Sequence, residues 1–412
     1  MEFFVARQPI FDHNLNVFAY ELLFRSDLGD LCEFLDPDMA SSDVLTTSFI
    51  LIGLDEFTSG KKASINFTRK LLIDEVATLF SSDQLLIEIS GNLKCDEGAV
   101  QACRRLRQAG YRLVLDDPLI ENRACPLWDM ACIAKIDFLE TTPEQRDHLL
   151  AEAATRGISL LAKRVETPQD FNRALELGYK YFQGFFFSRP DVRSNHVIPG
   201  SKLVYLRMLD EIHKPDVALK QLEEIFKQDM SLSYKLLRFI NSAYFGLFER
   251  IHSIRHALTL LGLTEVKKWV SLIAMSGLAK DKPEELAVSS LIRASFCEQV
   301  ASEIGYADKS SEFFLMGMFS MIDAIMDRPM CEILSKLPLL DDIKIALMGG
   351  GNIYRDVYET VVAYEMGEWD RFASYASKLD LTEEAVPQLY GNSVKWVNKV
   401  LHLAQPTAGA AP

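Results

Sequence analysis

No stretch of this 412-residue chain approaches the roughly 18 consecutive apolar residues that cross a bilayer, so no helical membrane span is expected. The start, Met-Glu-Phe-Phe-Val-Ala-Arg-Gln-Pro-Ile, lacks the basic segment and long apolar run of a secretory leader. Basic charge is scarce. Lys and Arg number 44 against 58 Asp and Glu, a net charge of −14, which leaves little field for phosphate backbones and argues against nucleic-acid binding. The seven cysteines form no CxxC pair and leave an odd one over. Their pattern reads as reduced, mostly buried thiols of a cytoplasmic protein rather than a disulfide framework or a zinc site.

What is present falls into two halves of different rhythm. Up to about residue 190, short apolar runs alternate with helical stretches. The runs are Phe3–Ile10, Val17–Arg25, Ala63–Phe67, Leu85–Ile89, Tyr111–Leu115, Cys132–Ile136, Ile158–Ala162 and Tyr181–Phe187. The first two are joined by the turn-forming Asp12-His13-Asn14. Most later pairs are separated by helix-length segments: Lys70–Phe80, Glu97–Ala109, Pro143–Arg156 and Pro168–Leu177. Eight strands with helical crossovers predict an α/β barrel of the (β/α)₈ kind whose first strand breaks the all-parallel rule.

Beyond residue 200 the strand pattern vanishes and apolar residues recur at three- and four-residue spacing, which predicts an all-α region. Gly349-Gly350-Gly351 reads as a helix stop, since it lacks the lysine and hydroxyl residue of a phosphate loop. Arg189–Lys202, rich in proline, serine and glycine, reads as a linker. The expected division is a barrel over 1–198, a helical domain over 199–404 and a disordered tail over 405–412.

Polar residues recur in or at the ends of the strand runs: Glu21, Asn66, Glu88, Asp116 with Asp117, Lys135 and Gln183. Any one of them is explained by capping a strand or bonding a loop. Six strands doing so point to one mouth, because the C-terminal strand ends of a barrel converge there. Several carboxylates with an amide oxygen form a hard donor set suited to Mg²⁺ or Mn²⁺, and two such ions suit phosphodiester hydrolysis.

These residues also carry a resemblance. Gln8-Pro9-Ile10, Tyr20-Glu21-Leu22-Leu23-Phe24-Arg25, Ile65-Asn66-Phe67, Leu86-Ile87-Glu88-Ile89 and Leu115-Asp116-Asp117 are similar to segments of the EAL phosphodiesterases. So are Ala134-Lys135-Ile136-Asp137, Val165-Glu166-Thr167 and Gln183-Gly184-Phe185. The resemblance implies a barrel that binds cyclic di-GMP and cleaves it with two divalent ions. Glu21, Asn66, Glu88 and Asp116 would be metal ligands, and Asp117 would bridge to the second ion. Lys135 would orient water, Gln183 would support the site and Arg25 would meet a phosphate.

Three departures alter that expectation. Where the family has alanine-glutamate-glycine-valine-glutamate, this chain has Ala162-Lys163-Arg164-Val165-Glu166, so the essential glutamate is Lys163. An ammonium about 5 Å from a divalent ion is repelled by up to roughly 7 kcal/mol at an effective dielectric of about 20. After Asp116-Asp117 comes Pro118-Leu119-Ile120-Glu121 in place of a glycine-bearing loop, and Gly91 stands where a glutamate helps hold that loop. The site residues then read as vestigial metal ligands, with Lys163 placed as a built-in cation among Glu21, Glu88 and Asp116.

In the second half, Asp229–Arg238 followed by Ile240-Asn241-Ser242-Ala243-Tyr244-Phe245, Ile254-Arg255-His256-Ala257-Leu258 and Leu261-Gly262-Leu263 resemble the HDOD family. HDOD domains are relatives of metal-dependent HD phosphohydrolases without the histidine–aspartate pair, and here Ser320 and Met321 replace it. His252 and His256 are spaced for zinc, although two histidines without a further ligand are usually surface groups. Asn241 reads as a residue that caps or cross-links helices.

The whole chain resembles bacterial EAL–HDOD tandem signalling proteins. The expectation is a cytoplasmic, non-catalytic adaptor with no resident cofactor. It senses cyclic di-GMP through Glu21, Asp117 and Arg25, engages protein partners through the HDOD domain or the barrel, and acts on motility or biofilm formation. The alternative is an active cyclic di-GMP phosphodiesterase requiring Mg²⁺ or Mn²⁺.

Overall fold

The computed structural model describes residues 4–25, 54–89, 93, 95–116, 125–190, 200–212, 217, 219–228, 230–241, 250–337 and 339–404. Asp117, Gly91, Pro118–Glu121 and the expected tail 405–412 therefore lie outside the described residues, as does most of the expected linker.

Eight strands close into a barrel in chain order. They are β1 (Phe4–Asp12), β2 (Val17–Arg25), β3 (Lys62–Phe67), β4 (Leu85–Ile89), β5 (Arg112–Leu115), β6 (Ile133–Asp137), β7 (Ser159–Lys163) and β8 (Tyr181–Gln183). Strands β2 to β8 run parallel, while β1 is antiparallel to both its neighbours, with Phe4 opposite Arg25 and Ile10 opposite Gln183. The turn between β1 and β2 follows from Asp12, whose carboxylate accepts the backbone N–H groups of Asn14 and Asn16 at 2.8 and 3.0 Å. The last strand is shorter than the sequence suggests. It ends at Gln183, and Phe186–Ser188 forms a 3₁₀ turn.

Period-two alternation explains the interior. Ile10, Ala19, Leu86, Val114, Ile133 and Leu161 form one buried layer, with Phe18, Cys132 and Tyr181 packed against it. Moving two residues toward the C-terminal end of the parallel strands brings Glu21, Glu88, Asp116, Lys135, Lys163 and Gln183, and the reversed β1 supplies Gln8. One apolar floor thus carries one polar layer.

Local signals hold the crossover helices in register. Pro143–Arg156 opens on a capping box between Thr142 and Gln145, with proline in its first turn, and closes on the left-handed Gly157. Pro168–Glu176 repeats the box with Thr167 and Asp170, which fixes the chain just beyond β7.

The chain divides into two compact units, and the division is not a single cut. The first contains residues 1–189 and Glu359–Gly391; the second contains Pro190–Tyr358 and Asn392–Pro412. Within the first unit, Phe4 of β1 packs against Tyr364, Trp369 and Phe372, and the Tyr364 hydroxyl lies 3.2 Å from both the N–H and the carbonyl of Val5. Phe57 packs on Tyr390.

The second unit is helical throughout its described residues. Gly200–Ile212 is a helix whose first turn starts inside the expected linker, which was read as ending at Lys202, and Lys202 anchors it through Asp281 at 2.7 Å and the Ile325 carbonyl at 3.0 Å. Phe226 and Phe239 pack on Trp269. Ile254–Leu278 kinks at Gly262, whose φ of 75° and ψ of 165° are not helical. Asn241 cross-links as expected: its amide donates to the carbonyls of Leu237 and Ile251 and accepts from the N–H of Ile251, each at 2.7 Å.

Candidate functional site at the barrel mouth

The polar layer opens into a cavity of about 330 Å³ lined by Gln8, Glu21, Asn66, Glu88, Asp116, Lys135, Lys163, Arg164, Glu166, Gln183, Gly184 and Phe185. Six strands deliver the sequence-expected groups Glu21, Asn66, Glu88, Lys135, Lys163 and Gln183, and Asp116 follows immediately after β5.

Its centre is a buried charge network. The Lys135 ammonium lies 2.5 Å from Glu88 and 3.1 Å from Glu21, and all three residues are at most 6% exposed. Ser64 donates to the other oxygen of Glu88 at 3.1 Å, and the Gln183 amide donates to both Glu21 and Gln8. Burial pushes the Glu88 carboxyl up to about 7, reinforced by Glu21 and partly offset by Lys135. Burial pulls the Lys135 ammonium down, but Glu21, Glu88 and Asp116 together outweigh it and hold the proton more tightly than usual.

Lys163 stands apart from that pair. Its ammonium meets Asp116 at 2.7 Å, with both side chains about a quarter exposed. The single cation expected among three carboxylates is therefore replaced by a division of labour: Lys135 serves Glu21 and Glu88, and Lys163 serves Asp116. The reason is register. Lys135 sits opposite Leu161, two residues before Lys163, and so reaches the deeper acids first.

The loop after β7 is held from both sides. Arg164 adopts a left-handed φ of 59° and donates to Asp137 and Glu140 at 2.9 and 2.5 Å. Val165 donates its N–H to the Gln183 carbonyl at 3.0 Å, and Phe186 donates to the Val165 carbonyl at 3.2 Å. Gly184 must be glycine here, because a Cβ would overlap the Val165 backbone and its φ is +145°.

Asn66 lines the cavity and is exposed. Arg25 is not brought to the cavity lining; its guanidinium pairs with Asp370 at 3.0 Å. As arranged, these donors do not fit a divalent ion. Glu21, Glu88 and Asp116 each pair with an ammonium, and among the described residues no three His, Cys, Asp or Glu side chains stand as a metal-binding group.

In the helical unit, Ser320 is 8% exposed, donates to the Gly317 carbonyl at 2.7 Å and accepts from Arg293 at 3.1 Å. His252 and His256 are both exposed, and His252 precedes the helix that begins at Ile254, so the pair does not share a helical face.

Comparisons with known proteins agree with both halves. Residues 198–331 match the HDOD domain. The chain is 35% identical to YuxH of Bacillus subtilis (strain 168) over 97% of its own length and 99% of that protein. It is 30% identical to the cyclic di-GMP phosphodiesterase CdgJ of Vibrio cholerae serotype O1, over 97% of this chain and 93% of CdgJ. The chain belongs to the EAL–HDOD family. Among solved structures, an EAL domain protein from Listeria monocytogenes EGD-e matches at 22% identity and a TM-score of 0.37, covering 46% of this chain and 88% of that one.

Sequence reading of this EAL–HDOD chain overlooked Gln8, Ser64 and Arg164 as parts of the network. The first two were legible from strand alternation: Gln8 is two residues from Ile10 and Ser64 two from Asn66, each in phase with the inward face. Two of the seven cysteines, Cys95 and Cys125, are joined in a disulfide, which corrects the expectation of reduced thiols throughout. No spacing motif marks that pair; the fold brings together positions 30 residues apart.

Proposed function

We propose that this EAL–HDOD protein is a non-catalytic signal-transduction adaptor whose barrel receives cyclic di-GMP without hydrolysing it and whose HDOD domain engages protein partners. The observation that carries this reading is the pairing of Lys163 with Asp116 and of Lys135 with Glu21 and Glu88. A phosphodiesterase of this family needs those carboxylates for cations that polarise the phosphodiester and lower the pKa of water. Here two ammonium groups occupy the same electrostatic role. They neutralise the acids but supply no open coordination position, so water is not activated.

The mouth still suits an anionic ligand. Lys163 and Arg164 stand on the cavity wall with polar partners that a phosphate oxygen can replace. Asn66 offers an exposed amide to a base edge or ribose. Arg25 joins such a site only by leaving Asp370, an exposed partner that costs little to exchange. The cytoplasm is the compartment in which this role makes sense, and no helix among the described residues is long and apolar enough to cross a membrane.

The test is incubation of the full chain with cyclic di-GMP and Mg²⁺ or Mn²⁺, followed by chromatography for the linear dinucleotide. The expected result is no linear product, together with calorimetric binding that persists in chelator. Turnover at ordinary phosphodiesterase rates overturns the reading. That outcome would favour the second reading, an active phosphodiesterase, which is supported by the similarity to CdgJ along nearly the whole chain.

A further inference from the structure

The disulfide joins the connections that follow two adjacent strands of the site, β4 and β5. Cys95 immediately precedes Asp96, the N-cap of the helix Glu97–Gln108, in the connection leaving β4. Cys125 immediately precedes the short 3₁₀ helix Pro126–Met130, in the connection leaving β5. Strand β4 carries Glu88, and β5 ends beside Asp116. The bond thus closes a ring that contains β5 and Asp116 and staples together two connections at the C-terminal ends of adjacent strands.

Two features separate this bond from a purely structural cross-link. The barrel does not depend on it for a core, because Leu113, Val114 and Leu115 of β5 are at most 1% exposed and β5 pairs with both β4 and β6. The pairing of β5 with both neighbours is made by backbone hydrogen bonds that do not involve the bond. The two ends also differ in access: Cys125 is 5% exposed, whereas Cys95 is half-buried and offers a side from which a thiolate can approach. Cys103, on the helix that Cys95 introduces, is fully buried, and burial pushes its thiol up to about 12, so it does not compete for exchange.

We propose that Cys95 and Cys125 form a reversible thiol–disulfide site that sets how firmly the β4–β5 side of the mouth is held, and through it the affinity for the dinucleotide. The affinity clause rests on the ligand reading above. The exchange partner is a small thiol such as glutathione. Its thiolate attacks the Cys95 sulfur, the Cys95–Cys125 bond breaks, and Cys125 leaves as a thiolate that takes a proton from solvent. A second thiolate attacks the mixed disulfide, releasing Cys95 and one equivalent of oxidised glutathione. Two electrons pass from two glutathione thiols to the protein disulfide, and the reverse sequence restores the bond.

The full chain is equilibrated in buffers of graded reduced-to-oxidised glutathione ratio, alkylated, and mapped by mass spectrometry. Hydrogen exchange and melting are followed in the same samples. Cys95 and Cys125 are expected to titrate together while the chain remains folded. Reduction should lower Tm by about 5–10 °C, as expected for releasing a ring of this size, and speed amide exchange around residues 112–116. Cys95→Ser should reproduce the reduced state under oxidising conditions, whereas Cys331→Ser, at an exposed free thiol, should change nothing. Free thiols at both positions in fully oxidising buffer overturn the site, as does a bond that yields only when the chain unfolds. Equal exchange in both states overturns the link to the mouth. With cyclic di-GMP, reduction should weaken binding by at least about threefold through lost preorganisation, and equal affinities overturn the affinity clause. Failure of both states to bind counts against the ligand reading alone, and exchange then decides the site.

Discussion

Lys163 stands where the resemblance to the EAL phosphodiesterases leads one to expect a glutamate, and its pairing with Asp116 makes it testable alone. Because both side chains are about a quarter exposed, solvent screens the pair, and its contribution is about 1 kcal/mol. Lys163→Met should lower Tm by a few degrees near neutral pH. Millimolar Mg²⁺ should raise the melt of the variant more than that of the parent. An unchanged melt in Lys163→Met rejects the role given to the pair. Glu88 carries a dependence on pH. Its folded pKa, raised to about 7 by burial, lies above its ordinary value of 4.5. Between those values the folded chain holds a proton that the unfolded chain has lost, so stability falls as pH rises through the window. Glu88→Gln removes that titration. The Tm of the variant relative to the parent should therefore climb between pH 5 and pH 7.5, and a flat difference rejects the assignment. Lys163 was legible as a departure because one motif position changed its sign. Asp116 was among its three expected partners, but that Lys135 rather than Lys163 meets Glu21 and Glu88 was not legible, since it depends on the register of β6 and β7.

Strands and crossover helices were legible wherever a local pattern decided them. Val17–Arg25, Leu85–Ile89 and Pro143–Arg156 occur at the positions their alternation, periodicity and capping residues indicate. The misses have one cause. Gly200–Ile212 follows a proline- and serine-rich stretch that masks its start, and Trp369–Lys378 is too short for its apolar spacing to stand out. Both are stabilised by packing that no local window contains. Between β7 and β8, the element that matters is the interlocked pair of loops at Val165 and Gly184. Gly184→Ala introduces a methyl group into the Val165 backbone at a φ that alanine avoids, and should cost about 3 kcal/mol or more. Since Val165 is two residues from Lys163, faster hydrogen exchange over residues 161–166 should accompany the lower melt. A variant as stable as the parent would show that the loops are not locked in solution.

At the scale of the molecule, the expected division at residue 198 meets the grouping of Glu359–Gly391 with the barrel. Phe4, Tyr364, Phe372 and Tyr390 are each at most 4% exposed. Burying an aromatic side chain contributes about 1.5–3 kcal/mol, so this cluster approaches the whole stability of an ordinary domain. A fragment ending at residue 198 loses the cover over Phe4 and Phe57. It should aggregate or melt at least about 10 °C below the full chain, and supplying residues 359–391 as a separate chain should improve its solubility. A soluble fragment with an unchanged melt would restore the simpler division. The sequence hides this arrangement because aromatic spacing identifies a buried helix face without naming the surface that buries it. The reversal of β1 has a practical side. With Phe4 opposite Arg25, β1 begins at the same end of the barrel as the polar cavity, four residues beyond Glu21 on the neighbouring strand. An affinity tag or fluorescent reporter fused at the N-terminus is thereby tethered to that end of the barrel, where it is expected to disturb the cavity more than one fused elsewhere. A label intended to leave binding undisturbed belongs elsewhere, and one intended to report occupancy belongs there.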